Sequence, residues 1–252
     1  VRLGSQQMQL IRHWGTELAI VIAGVLIALW AQAWFEGRKE GRVHRETIEQ
    51  MDRLFGRALV QTAARVSSSS CSRERIAELD DALRSSTGNW TAMPIRNLPE
   101  RMLVGHYPVV YLVDSDVLPL QIFETARQNG TMAALQPEDR RFYEQVEREL
   151  TWLNDVWQNS EDPGMQLSIL GLDGPLSDSA RDEMRQALAW LDSENHVTVL
   201  RAGALARLAR ERGFQPIPDD RAAYRRKIER DRRLFGDCVV EVDPLSNSAT
   251  GP

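Results

Sequence analysis

An all-α fold is what this sequence predicts, and three observations predict it. The segment Leu18–Phe35 holds eighteen residues with one polar side chain, Gln32, and no charge. Beyond it, apolar residues recur at three- and four-residue steps, the spacing of one helix face. Val109–Val113 is the one strand-like run, and with few partners in the sequence it reads as a buried extended connector. Together these predict a transmembrane helix that continues into a helical bundle-like domain of about five further helices.

Taken in order, residues 1–13 form a short tail and residues 14–35 the membrane helix. About 17–25 mostly apolar residues span a bilayer as a helix, longer than the apolar run usual in a buried core helix. Trp14 precedes the run and Trp30 and Trp34 close it, as interfacial residues do; Arg38 and Lys39 follow as charged anchors. Ala23, Gly24 and Ala28 would permit close packing of a second helix, hence a homo-oligomer. A cleaved signal peptide is the rival reading. Arg2 and Arg12 would be its charged start and Ala31-Gln32-Ala33 its cleavage site, against which stand Glu17 and the bulky Trp30, Trp34 and Phe35. Orientation is contested. Arg38, Lys39, Arg42 and Arg45 outnumber Arg2 and Arg12, which by the positive-inside rule retains the domain in the cytoplasm.

Residues 36–66 continue as an amphipathic juxtamembrane helix, with Ile48, Met51, Phe55, Ala58, Leu59, Thr62 and Val66 on one stripe. The helical domain proper is placed at 67–242 and a loose polar tail at 243–252. Ser67–Ser70 should interrupt the first helix, since serine competes for backbone hydrogen bonds. A second helix over Ser72–Ser85 presents Ile76, Leu79 and Leu83. Thr87–Pro108 is broken by Gly88, Pro94, Pro99, Gly105 and Pro108. Ser115-Asp116 caps a third helix that carries Pro119 in its first turn and ends at Gly130. A fourth starts at Pro137, with Glu138 and Asp139 suited to its dipole and Phe142, Tyr143, Val146, Leu150, Leu153 and Trp157 apolar. Pro163-Gly164 and Gly171–Pro175 mark loops. A long fifth helix runs from a cap at Ser177 or Ser179 to Gly213. Its face is Met184, Leu188, Leu191, Leu200, Leu205 and Leu208, with a bend expected at Asn195-His196. A last helix follows Pro218-Asp219 to about Phe235.

Chemistry is hard to find in this chain. A net charge of −5 offers no global basic field, and no groove-reading element is evident, so no nucleic-acid partner is expected. The cluster Arg221, Arg225, Arg226, Lys227, Arg230, Arg232 and Arg233 is interleaved with Asp219, Asp220, Glu229 and Asp231, which reads as a solvated, salt-bridged face. His13, His44, His106 and His196 form no metal motif, and no nucleotide-cradling or serine-nucleophile motif occurs. His106, Asp114 and Asp116 are the residues to test if there is an active site; capping explains the two aspartates better than acid–base or calcium chemistry does. Asp173-Gly174 lacks the ligand ladder of a calcium loop. No catalytic, cofactor-binding or metal-binding residue is assigned. Cys71 and Cys238 exclude a cysteine-rich zinc site. They read either as one disulfide, in an oxidising compartment, or as two unpaired thiols.

TELAIVIAGVLIALWAQAWFEGRKEGRVHRETIEQM, with Trp34, Glu36, Arg38 and Lys39, resembles the opening of a group of bacterial single-pass membrane proteins of unknown function. FETARQNGTMAALQPEDRRFYEQVE, with Phe123, Gly130, Met132, Leu135 and Tyr143, is similar to an internal segment of that group. The resemblance covers about a third of the chain. It departs at Gln32 and Ala33, where an asparagine-rich ending is common. It implies an anchor and a helical domain outside the cytoplasm, and carries over no catalytic residue. The expectation is an inner-membrane protein of the bacterial cell envelope whose domain is an interaction or scaffolding module. Its partners would be the bilayer and a protein, a second copy included. A membrane-tethered small-molecule sensor is the alternative, and an enzyme of unrecognised type the third.

Overall fold

The computed structural model describes residues 4–95, 103–104, 107–111 and 117–245, with side chains from Ile22 onward except at positions 33, 103–104 and 107–108. It is all-α. The first helix, α1, runs unbroken over Gly4–Ser85, 82 residues and so about 120 Å at 1.5 Å per residue. Next come the two-residue strands β1 (Asn89–Trp90), β2 (Leu103–Val104) and β3 (Tyr107–Pro108), then α2 (Gln121–Gln128), α3 (Thr131–Ala134), α4 (Pro137–Asn159) and α5 (Glu161–Gln166). β4 (Gly174–Pro175), α6 (Asp178–Arg212) and α7 (Pro218–Phe235) complete the order, with 3₁₀ turns at Leu167–Gly171 and Gly236–Cys238. The strands are antiparallel pairs, β1 with β4 and β2 with β3, that tie loops together.

The second half of α1 is the spine of the body, and three apolar clusters are strung along it. Met51, Phe55 and Leu59 pack with Phe123 of α2, Leu150 and Leu153 of α4 and Leu205 of α6. Ile76, Leu79 and Leu83 pack with Leu167, Leu170 and, from α6, Leu188 and Leu191. Between them Val60, Ala63 and Ala64 meet Tyr224 and Ile228 of α7. Low positions on α1 thus meet high positions on α6 and the reverse, so the two helices are antiparallel. The Arg127 guanidinium donates to both Glu147 oxygens, at 2.7 and 2.8 Å, and clamps α2 to α4.

Several expected ends are where the side chains placed them. Pro137 opens α4, where its missing N–H costs nothing. Ser177 accepts a hydrogen bond from the Ala180 N–H and caps α6; Gly213, at φ 66°, closes it. Val109 and Val110 are buried and lie in no strand; residues 112–113 fall outside the described ones.

Elsewhere the structure corrects the sequence reading. Ser67–Ser70 does not interrupt α1. Ser67, Ser68 and Ser69 bond carbonyls three or four residues back, a geometry that a helix interior accommodates. The third helix begins at Gln121, with Leu120 at its cap position; Ser115-Asp116, expected to cap it, lie outside the described residues. The Asn154 side chain accepts from the Leu118 N–H and donates to the Leu118 carbonyl, so this backbone is satisfied outside a helix. Pro163-Gly164 lies inside α5, where proline falls in the first turn. α6 continues through Asn195-His196, and Leu200 is exposed, off the buried face.

Among the described residues no helix is long and apolar enough to cross a membrane. The expected span begins ahead of the first described side chain, so only its part from Ile22 to Phe35 falls within them, and Trp14 does not. Those side chains stand free of the body: Leu26 is 61 % exposed, Ile27 66 % and Trp30 70 %.

Candidate functional site

Where α1 enters the body lie Trp34, Arg38 and Lys39, the residues read in the sequence as anchors. The Arg38 guanidinium lies 4.0 Å over the Trp34 ring, and Trp34 meets Phe35 edge-on. Lys39 is exposed. Ala23, Gly24 and Ala28 share the exposed part of the helix, and a Cβ added at Gly24 would meet nothing within 4 Å. Immediately above, His44 Nδ1 is 2.9 Å from Thr131 Oγ1. Thr131 itself donates to Asn129 Oδ1, so its single proton is spent and His44 is the donor.

In the last quarter of α1, Cys71 is bonded to Cys238, with Cα atoms 5.3 Å apart. The serine run before it forms a ledge for the chain end. Ser70 donates to the Cys238 carbonyl, the Val240 N–H donates to the Ser67 carbonyl, and Ser67 shares a hydrogen bond with the Tyr224 hydroxyl.

Beside this ledge lies a cavity of about 70 Å³. α1 supplies Arg65, Ser68 and Ser72 to it, the connector Tyr111, the joint of α4 and α5 Ser160, α6 Leu191, Glu194, Asn195 and Thr198, and α7 Arg230, Asp231 and Phe235. Glu194 and Asp231 are buried, 8 % and 3 % exposed. The Arg65 guanidinium lies 4.3 Å over the Trp157 ring, and Arg230 bonds Asp231 Oδ1 at 2.8–2.9 Å. Trp190 Nε1 donates to Glu194 Oε1 at 2.6 Å. Ser160 Oγ lies 2.5 Å from Glu194 Oε2 and 2.9 Å from the Val156 carbonyl oxygen. A serine hydroxyl carries one proton. The Ser160 hydroxyl is the donor in both contacts and shares its proton between the two oxygens. Burial, the largest influence on it, pushes the Glu194 carboxyl up, opposed by the hydrogen bonds from Ser160 and Trp190 and by the Arg65 charge.

The other sequence candidates do not converge. His106, Asp114 and Asp116, together with His13, lie outside the described residues. Asp173 accepts from the Ala92 N–H and so pins a loop. No group of three or more histidine, cysteine or acidic side chains is placed to hold a metal among the described residues. The basic cluster of α7 is not a uniformly solvated face. Asp231 is buried, and burial pushes Lys227 down to about 8, aided by the neighbouring Arg230 charge.

The cavity residues were missed in the sequence, although a signal was present. Met184, Ala187, Leu188 and Leu191 trace the buried stripe of α6, and Glu194 and Thr198 continue it at three- and four-residue steps. Asp231 continues Tyr224 and Ile228 on α7 in the same way. A polar side chain on an apolar stripe marks a polar interior. Compared with family profiles, curated proteins and solved structures, the chain matches none.

Proposed function

We propose that this chain is a single-pass, membrane-anchored helical domain of the bacterial cell envelope, held outside the cytoplasm and acting by binding partners. One observation carries the reading: a single helix joins the apolar segment to the body and then serves as its spine. The exposed Ile22, Leu26, Ile27, Leu29 and Trp30 are costly in water and favourable in hydrocarbon. Trp34 under Arg38 suits the interface, where an indole and a snorkelling cation are both at home. The bond between Cys71 and Cys238 supports an oxidising compartment. The open face at Ala23, Gly24 and Ala28 supports a second copy or another helix as partner.

The test is thiol labelling in cells with a membrane-impermeant maleimide, the outer membrane permeabilised. Labelling only after reduction is expected. Labelling that needs inner-membrane lysis and no reductant would put the body in the cytoplasm, as the positive-inside count has it, and overturn the placement.

A second reading, that the body receives a small molecule, is favoured by the cavity between α1, α6 and α7. Ten of its twelve lining residues are polar or charged. Buried charge rarely adds stability over an apolar core, so a role in binding explains these residues better than one in folding.

A further inference from the structure

We propose that the groove where α1 meets the joint of α2 and α3 holds the headgroup of one phospholipid that ends in a primary ammonium. Its phosphate lies at Lys39 and its ammonium between Glu40 and His44. The proposal rests on the membrane-anchored reading and names the lipid that the anchor selects. The groove measures about 240 Å³ and is lined by Glu36, Lys39, Glu40, Val43 and His44 of α1 and by Asn129. Steps of three and four residues put the five α1 positions on one helix face. At 1.5 Å per residue, Glu36 lies about 3 Å and His44 about 15 Å along the axis from Trp34. A headgroup layer is roughly 5–8 Å deep on each side of the hydrocarbon. With Trp34 at the interface, the lower half of the groove lies in that layer.

The His44 ring gives the groove a fixed acceptor. Its Nδ1–H donates to Thr131 Oγ1 at 2.9 Å, and Thr131 donates to Asn129 Oδ1 at 2.6 Å. Asn129 Nδ2 donates to Thr47 Oγ1 at 3.0 Å, and Thr47 donates to the Val43 carbonyl at 2.8 Å. Each hydroxyl in this chain spends its one proton. Thr47 and Thr131 are buried, so the ring is held in one orientation. A neutral ring that donates from Nδ1 keeps its lone pair at Nε2. That nitrogen has no hydrogen-bond partner among the described residues, and Glu40 stands one helical turn below it.

Charge selects the headgroup. The lining sets two carboxylates, Glu36 and Glu40, against one ammonium, Lys39. Gln32 donates to Glu36 at 2.9 Å, whereas no ion pair joins Lys39 or Glu40 to another described residue. A headgroup with negative charge alone meets an excess of carboxylate. A trimethylated ammonium has no N–H for Glu40 or for His44 Nε2. A primary ammonium has three, and a carboxylate beside an imidazole nitrogen suits them. Lys39 is a point charge on a flexible stem, which suits a phosphate. Its Cβ tilts toward the helix N-terminus, hence back toward the bilayer. At roughly 10–15 Å³ for each water-sized position, the groove has room for the phosphate and the aminoethyl group together. Val43 supplies an apolar rest for the two carbons.

The experiment uses the full-length chain in nanodiscs of equimolar dioleoyl phosphatidylethanolamine, phosphatidylcholine and phosphatidylglycerol. Native mass spectrometry after release counts the lipids each chain retains, and carbonate extraction from vesicles of the same mixture tests the anchor separately. One ethanolamine lipid per chain is expected, retained about tenfold over the choline lipid, the scale of a charge-assisted hydrogen bond. Glu40→Gln should remove that preference without lowering the melting temperature, since Glu40 is exposed. Lys39→Gln should weaken retention of the ethanolamine and choline lipids alike, because both carry the phosphate. Glu46→Gln, an exposed carboxylate outside the groove, should change neither. Equal retention of ethanolamine and choline lipids by a chain that resists carbonate would overturn the ammonium site and leave the anchor standing. Preference for the glycerol lipid would overturn the charge argument. A preference that survives Glu40→Gln, or that Glu46→Gln also removes, would overturn the groove as its place. Displacement of the lipid by soluble glycerophosphoethanolamine would reassign the groove to a free ligand. Release of the chain by carbonate would overturn the anchor, and this proposal with it.

Discussion

Lys227 sits on α7 among Arg65, Arg230 and Asp231, and its ammonium is pushed down to about 8, first by burial and then by the Arg230 charge. The unfolded chain keeps the ordinary value near 10.4. Between these values the unfolded state binds more protons than the native one, so stability rises with pH through that window. The contribution is present above the unfolded value and is lost as pH falls toward 8. Burial shifts Tyr111 and Tyr224 upward, so their contributions decline once unfolded tyrosines ionise near pH 10, which confines the rise to the range below it. Urea unfolding across pH 7–10 should therefore show an increase of up to about 3 kcal/mol. Lys227→Met should flatten the curve and be the more stable protein at pH 7. A flat curve in the unaltered chain would refute this. The charge run on α7 was legible in the sequence, but its inward side was not. Which arginines and lysines of a mixed-charge helix turn inward depends on the helix it packs against, and that neighbour lies 160 residues away in α1.

The serine run and Gly56 show how α1 is fitted to its partners. Ser67 and Ser70 hold Tyr224 and the Cys238 carbonyl, whereas the Ser69 hydroxyl bonds only its own helix. Alanine at Ser67 or Ser70 should cost about 1 kcal/mol, and alanine at Ser69 should be neutral or slightly stabilising, because only the first two lose a tertiary hydrogen bond. Equal effects at Ser69 and Ser70 in chemical denaturation would sink the idea that the run is a docking ledge. At Gly56 a Cβ would come within 2.8 Å of Asp220 Oδ2, at the first turn of α7. Ala should gain about 1 kcal/mol in a helix interior but here displaces a partly buried carboxylate. Gly56→Ala is expected to destabilise the unaltered chain and to stabilise Asp220→Ala, a change of sign that a double-mutant cycle reads directly. Additive effects would mean that Asp220 swings aside freely. Helix ends marked by Pro137, Ser177, Gly213 and Pro218 were legible because caps and breakers act within one turn. The start of α2 was not, because Asn154 governs it from 36 residues away.

The molecule as a whole is a rod with a body built around its far half, closed by one covalent bond. Cys71 and Cys238 are 167 residues apart, so by chain entropy the bond stabilises the fold by up to about 5 kcal/mol, with 2–5 the usual measured range. Cys71→Ser with Cys238→Ser should lower the unfolding free energy by that amount and loosen residues 236–245 first, seen as earlier proteolysis of the chain end. Unchanged stability after reduction would show that the strap is held by Ser67, Ser70 and Tyr224 alone. The all-α class, the apolar segment, the helix ends with strong caps and the stripes at Ile48–Leu59 and Ile76–Leu83 followed from residue type and spacing, because side-chain period and capping chemistry are local. The continuity of α1 through four serines, the pairing of two cysteines left open by the sequence, and the meeting of Arg65, Glu194 and Asp231 around a cavity came only with packing. Each depends on partners far apart in the chain, and no local preference encodes which distant helix will stand opposite.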